Sequence, residues 1–340
     1  MKVGIDVSAA VYGTGVSDYV INLVQHLPEG MIVPFGYSLR RQSDLKRILL
    51  SGKYLPIPPS VMEILWNRLH IIDVETFVGK VDVWHSSDWT EPPSHCPKVT
   101  TIHDLSPFLY PTETDPRIVA VHTRKMKWAV AECRKFICVS QSTANDLQRV
   151  FSVSADKIVV IPEALPQRFI LRPQLTKYTN YLLAIGARQP RKNINILISA
   201  YLKHKQSLSP KLIIAGEVAE KVSDPSIIYT GYIPDQYLVD LLAGAQAFVY
   251  PSLYEGFGLP ILGAFYLQVP VACSNASSLP EVAGEAAIYF DPLDEEDIVN
   301  GIKSALDHKS ELVKKGTAQL QNFSWAKAAQ ETVKVYESII

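Results

Sequence analysis

Residues 250–264 read YPSLYEGFGLPILGA. The run AFVYPS (247–252) is apolar and β-favouring and predicts a strand. Gly256 and Gly258 then bracket Phe257 in a tight turn, and Pro260 suits the first turn of a helix over 259–267. A strand, a glycine turn and a helix start in that order gather backbone N–H groups at the positive end of a helix dipole, which favours an anion. Glu255 stands on the lip of the turn. A carboxylate there would repel a bare phosphate but accept hydrogen bonds from sugar hydroxyls beside one. On the glycines alone, a tight turn next to a solvated Glu is an equal alternative.

Outward from this stretch the second half alternates strands and helices. Strands are predicted at 180–186, 211–217, 227–232, 269–274 and 286–291, with helices at 193–206 and 234–244. The first half repeats the scheme, with strands at 2–7, 31–37, 81–86, 98–103, 135–140 and 158–162. Its clearest helix, 16–27, puts Val16, Val20, Leu23, Val24 and Leu27 on one face. The two halves meet in 163–179, a stretch with two prolines and no clean period. The expected fold is therefore α/β, with two doubly wound Rossmann-like domains at 1–165 and 180–324, a linker at 166–179 and a final helix beyond 325. Ligands of such sheets bind beyond the carboxyl ends of the strands, so a cleft between the two is the expected active site.

Composition narrows the function classes. The 340 residues carry 33 Lys plus Arg against 34 Asp plus Glu, a net charge of −1, which gives no bulk charge for binding nucleic acid. A hydrophobic content of 47% suffices for two packed cores. Cys96, Cys133, Cys138 and Cys273 have neither CxxC spacing nor a His-x3-His partner, so no zinc site is read, and a reducing cytosol fits them best. The start, MKVGIDVSAAVYG, has no leader-like apolar run, and no window approaches the roughly 18 apolar residues of a spanning helix. A cytoplasmic location, peripheral at most to the inner face of a membrane, is expected. The 117–135 segment supplies a reason for such contact: Arg117, Arg124, Lys125, Lys127, Arg134 and Lys135 lie beside Met126 and Trp128 on a predicted helix that could rest on anionic lipid, or be a solvated face.

Three further places could carry chemistry. GARQPRKN (186–193) sets Arg188, Arg191 and Lys192 before a helix, a match for diphosphate oxygens or a solvated basic loop. His103 closes a strand at its carboxyl end, as a ligand-facing or a structural residue. Gly13-Thr14-Gly15 follows the first strand and is a weak phosphate-turn signal.

In order along the chain, GTGVSDYVINLVQHL, DVWHSSD (82–88), TIHDLSPFLYP (101–111), CVSQSTANDL (138–147), PRKN (190–193), the 250–264 stretch, SNASSLPEVAGEAAIYFDP (274–292) and FSWAKAAQETVKVYE (323–337) resemble the retaining GT-B glycosyltransferases, in particular the large family 4-like group that includes bacterial mannosyltransferases. The resemblance implies an acceptor-binding first domain, a donor-binding second domain and a last helix, 325–340, that returns to the first. It implies that Lys192 with Arg191 or Arg188 binds the donor diphosphate, because the family's usual Gly-Arg is Gly186-Ala187 here. It puts His103 and Glu255 at the donor sugar and the backbone of Gly256, Phe257, Gly258 and Leu259 at sugar and phosphate, with Gly13, Thr14 and Gly15 as a further donor turn.

The family's second carboxylate, which grips the ribose, falls on Gly263. A Glu restored there is expected to regain that grip and to improve the helix. The implied reaction is metal-independent transfer, with retention, from GDP-mannose or a UDP-sugar to a glycan or lipid-linked glycan, with no bound cofactor and no metal site. The alternatives are a catalytically weakened or inactive relative acting as a glycan-binding or partner subunit, for which Gly263 speaks, and a nucleotide-sugar epimerase.

Overall fold

The computed structural model describes residues 1–49, 51–86, 88–186, 188–208 and 210–340. They form two units, Met1–Glu163 with Ser324–Ile340, and Ala164–Phe323.

The first unit holds a seven-stranded sheet of β1 (Val3–Asp6), β2 (Ile32–Tyr37), β3 (Lys53–Leu55), β4 (Val83–Ser86), β5 (Lys98–Ile102), β6 (Cys133–Cys138) and β7 (Ile158–Val160), in the order β3-β2-β1-β4-β5-β6-β7. The pairs are parallel, with Val3 opposite both Ile32 and Val83. Chain order reverses between β1 and β4, so the loops after these strands diverge and leave a crevice at their carboxyl ends. Helix α1 (Gly15–His26) starts on a capping box in which Thr14 and Ser17 exchange side-chain and backbone hydrogen bonds. One flank is an aromatic cluster of Phe35, Tyr37, Trp66 and Trp84. The short edge strand β3 escapes sequence reading because three residues, the first of them exposed, carry no alternation to detect.

Helix α2 (Pro116–Glu132) is shorter than the predicted 117–135, because Cys133 already pairs with Lys98 and opens β6. Several of its basic residues have partners within the unit, while Lys127 is exposed beside the Trp128 ring. Lys125 is buried and donates to Thr100, Arg124 binds Glu63, and Arg117 binds Asp115. Met126 is buried and the Trp128 ring stacks on His70. Arg134 and Lys135 donate to the carbonyls of Ile339 and Asp156. Of the stripe expected from sequence, Lys125 and Met126 are buried, while Arg117 and Lys127 stay exposed. Among the described residues no helix is long and apolar enough to cross a membrane.

The second unit holds β8 (Tyr181–Ile185), β9 (Lys211–Ala215), β10 (Ile227–Gly231), β11 (Ala247–Tyr250), β12 (Val271–Ser274) and β13 (Ala287–Phe290) in the order β10-β9-β8-β11-β12-β13. Here the reversal falls between β8 and β11. Both strands read as continuous apolar runs because both faces of the sheet are covered. Helices α3 (Ile194–Leu208) and α4 (Leu259–Tyr266) begin just after the loops that follow these two strands. Part of the stretch expected to be a linker is a short 3-10 turn, Gln167–Phe169, whose Phe169 is 1% exposed. The last helix, α5 (Trp325–Glu337), belongs to the first unit, where Trp325 contacts the ring of Tyr19.

Candidate active site

At the reversal of the second sheet the loops after β8 and β11 are stitched together. Asn193, at φ 60°, donates from Nδ2 to the carbonyls of Pro251 (3.1 Å) and Pro292 (2.7 Å), and Leu253 N–H donates to the Arg191 carbonyl at 2.8 Å. The stitching brings charges face to face. Lys192 Nζ lies 2.6 Å from Glu255 Oε1, and Arg191 Nη1 lies 3.8 Å from Oε2 while donating to the Tyr254 carbonyl at 2.9 Å. All three side chains are largely buried, at 17%, 10% and 12% exposure for Lys192, Glu255 and Arg191. Burial by itself would raise the Glu255 pKa, but the Lys192 and Arg191 charges outweigh it and hold the carboxyl below the usual range. Two cations around one ionised carboxylate leave positive charge over, and Lys192 also lies over the Tyr250 ring, 5.6 Å from its centroid.

The glycine turn is fixed from behind. Ser277 and Ser278 donate to the Glu255 carbonyl at 2.6 and 3.0 Å, and Ser278 donates to the Phe257 carbonyl at 2.8 Å. In a trans peptide the N–H opposes the C=O, so the amides of Gly256 and Gly258 are turned to the other side. Gly258 sits at φ 114°, a conformation that requires glycine. Phe257 packs edge-on against Phe323 and Leu259 is buried, so these two side chains serve the core and only their backbone is available to a ligand.

Of the two candidate arginines, the structure groups Arg191 with Lys192 and Glu255. Arg188 is exposed and faces Glu217 at 3.4 Å. Ala187 lies outside the described residues. Gly263 departs from the sequence expectation. It is buried in α4, and a Cβ there would lie 2.6 Å from Cδ1 and 2.8 Å from Cε1 of Phe169. The glycine exists to admit the Phe169 ring, so a Glu at this place would displace a packed aromatic instead of simply regaining a contact.

In the first unit His103 stands just past β5. Its Nδ1 is 3.0 Å from Oε1 of the buried Glu163, and its ring meets Tyr19 edge-on at 4.7 Å. Burial would lower the His103 pKa, but the hydrogen bond and charge of Glu163, with Asp88 and Asp104 behind it, raise it. Behind His103 runs a buried chain of hydrogen bonds: Tyr19 to Thr101 (2.9 Å), Thr101 to His85 Nε2 (2.8 Å), and His85 Nδ1 to the Tyr336 hydroxyl of α5 (2.7 Å). Burial, with the charges of His103 and Lys125, pushes His85 down to about 3, so it stays neutral. Sequence reading quoted His85 and Glu163 but gave neither a role, because neither stands in a spacing that marks chemistry. The Gly13-Thr14-Gly15 turn divides its work: Gly13, at φ 68°, turns the chain, and the Thr14 hydroxyl is committed to the cap of α1. Among the described residues no group of three or more His, Cys, Asp or Glu side chains is placed to hold a metal ion.

Comparison with known proteins matches both halves. Residues 13–166 fit the family described as Glycosyltransferase Family 4, and residues 167–321 that described as Glycosyl transferases group 1. O-antigen chain mannosyltransferase B of Escherichia coli is 36% identical over 265 residues, covering 70% of each chain. The serotype-specific mannosyltransferase WbdA of the same species is 28% identical over 273 residues, 71% of this chain and 33% of that longer protein. Among solved structures, HepE of Anabaena in complex with UDP and glucose superposes with a TM-score of 0.70 at 16% identity, covering 99% of this chain and 100% of that one. Two parallel sheets, each with its own matching family and sharing a relative at this identity, lead to one conclusion: the chain belongs to the GT-B glycosyltransferases, among the family 4-like members.

Proposed function

We propose that this glycosyltransferase moves mannose from GDP-mannose, or a related sugar from a UDP-sugar, to a hydroxyl of a glycan or lipid-linked glycan with retention of anomeric configuration. The cluster of Arg191, Lys192 and Glu255 at the reversal of the second sheet carries this reading. The mannose assignment is supported by the names of the relatives, both mannosyltransferases. In the reaction the bond from the sugar anomeric carbon to the diphosphate oxygen breaks. Lys192, Arg191 and the start of α4 stabilise the charge that develops on the diphosphate, the kind of electrostatic help that is worth most in a site closed to water. The acceptor oxygen bonds to the same carbon on the same face, and its proton passes to the departing diphosphate oxygen. Glu255 accepts hydrogen bonds from hydroxyls of the donor sugar, and in the first unit His103 is oriented by Glu163.

Lys192 and Glu255 meet each other in this structure, so donor binding has to give Lys192 a phosphate in exchange for the carboxylate and release Glu255 to the sugar. The charge on the diphosphate is met by protein cations, and transfer proceeds without a metal. Turnover assayed against a panel of GDP- and UDP-sugars, with and without EDTA, and with the product anomer read by NMR, tests each part. Transfer from a mannose donor in EDTA with an unchanged anomer is expected. A requirement for added divalent ion, or an inverted product, contradicts the mechanism. A second reading, a non-catalytic partner subunit, is favoured by Gly263, where Phe169 stands against the helix that carries a carboxylate in the resembling family; binding of nucleotide diphosphate without turnover of any donor would select it.

A further inference from the structure

Tyr250 closes β11 beneath the ionic cluster, and no step of the proposed transfer uses it. Its ring is 3% exposed and lies against Phe248, the centroids 5.4 Å apart. A phenol buried in this way needs partners for its hydroxyl, because an unpaired O–H away from water is costly. The partners here are the charges of the cluster. Lys192 Nζ lies 3.4 Å from the Tyr250 hydroxyl oxygen and 2.6 Å from Glu255 Oε1, so one ammonium group spans both. Lys192 donates to the phenol oxygen, which leaves the phenol hydrogen for an acceptor. The Glu255 carboxylate and the Ser252 hydroxyl stand beside it, and the ionised carboxylate is the stronger acceptor. Burial and the Glu255 charge hold the phenol pKa well above its usual range, so Tyr250 remains a donor through neutral pH.

The exchange demanded by donor binding gives this hydroxyl a task. Glu255 is 8% exposed, and its charge is held by Lys192, Arg191 and Tyr250. Once Lys192 turns to a diphosphate, the carboxylate loses its nearest cation, and a buried carboxylate that loses its partner tends to take up a proton. A protonated Glu255 is the poorer acceptor for sugar hydroxyls. Arg191 does not make good the loss: at 3.8 Å it stands outside hydrogen-bond range of Glu255, and its Nη1 already donates to the Tyr254 carbonyl at 2.9 Å.

We propose that Tyr250 is a positioning residue that takes over from Lys192 on Glu255: as the ammonium leaves for a phosphate, the phenol hydroxyl donates to the carboxylate and fixes it for the sugar. The proposal rests on the transfer proposed above for the words phosphate and sugar; the handover on Glu255 does not. Its place at the end of β11 suits the task, since the strand and the Phe248 stack fix the ring while Lys192 moves.

The handover is read first without any donor. Lys192→Met removes the ammonium and leaves Glu255 to Arg191 and Tyr250, the state that a bound diphosphate would create. The carboxyl-carbon resonance of Glu255, assigned with Glu255→Gln, is titrated by NMR in the wild type, in Lys192→Met, in Tyr250→Phe and in the double variant. Donation to the ionised form lowers a carboxyl midpoint, so its loss raises it. On the Lys192→Met background Tyr250→Phe should raise the Glu255 midpoint by about one pH unit or more, and by less where Lys192 is present. In transfer assays Tyr250→Phe should lower kcat about 10-fold and move its acidic limb to higher pH, with affinity for GDP or UDP within about threefold of wild type. A Glu255 midpoint that Tyr250→Phe leaves in place on the Lys192→Met background overturns the handover, as does a wild-type kcat profile. Thermal melting identifies a variant that fails to fold, and Tyr250→Leu then supplies the same comparison. A wild type that transfers no sugar sinks the proposed function while the titration still decides the handover; a wild type that transfers, with an unmoved midpoint, sinks the handover alone.

Discussion

Both sheets reverse strand order at their first strand, yet the two reversals collect different side chains. In the second unit the loops beyond β8 and β11 bring together Arg191, Lys192 and Glu255, a partly compensated ionic cluster beside a glycine turn. In the first, the loops beyond β1, β2 and β4 bring together Ser8, Tyr37 and Thr90 on the buried Asp6 carboxylate. The same topology thus gathers different side chains at its two reversals, because the fold supplies the crevice and only the loop residues choose what lines it.

The largest effect we expect lies in the packing of Phe169 on α4 of the second unit. Phe169→Ala should cost about 3–5 kcal/mol in urea unfolding, as a buried aromatic removed from a core. Gly263→Glu should destabilise as well, and less so on a Phe169→Ala background, because the ring it collides with is gone. Additive costs would mean that the two residues do not share a space. Next in size is Lys192→Ala, expected to lower kcat about 10²–10³-fold with the melting temperature little changed; turnover within about threefold of wild type would remove Lys192 from the leaving group.

Acid separates the two units in a third way. His85 takes a proton near 6.5 when unfolded but only near 3 when folded, so its buried neutral form contributes stability that fades as pH falls through that window. His103, raised, contributes below 6.5 and loses its contribution as pH rises through its folded value. Glu255, lowered, contributes above 4.5 and fades only as pH falls below that. The first unit should therefore begin to lose stability at a higher pH than the second on acidification. In an NMR titration His85 should stay neutral at pH 5 while His103 is protonated, and Glu163→Gln should lower the His103 midpoint. An unmoved midpoint would show that Glu163 does not hold that ring. The smallest effect is Arg188→Ala, which should change stability by no more than about 0.5 kcal/mol and leave transfer intact, since its ion pair is exposed.

The strands and the ionic cluster were legible in the sequence for a physical reason. Fully buried parallel strands such as YLLAI and AFVY are unbroken apolar runs, and the cluster is built from residues that stand close together in two glycine-bearing loops. The cluster around Asp6 was not legible. Ser8, Tyr37 and Thr90 are ordinary residue types far apart in the chain, and only the sheet order brings them together. The cost of a larger side chain at Gly263 was not legible for a related reason: its partner, Phe169, lies in a segment whose two prolines suggested a linker, and a steric fit has no sequence signature.

In the proposed mechanism Glu255 serves the sugar while Lys192 serves the phosphate. Calorimetric titration of GDP and UDP into Glu255→Ala, set beside its transfer rate, tests that division directly. Freed from the carboxylate that now holds it at 2.6 Å, Lys192 should bind the free nucleotide diphosphate at least as tightly as in the wild type, while transfer falls about 10²-fold or more. Affinity for the nucleotide diphosphate that falls in step with transfer would contradict the account.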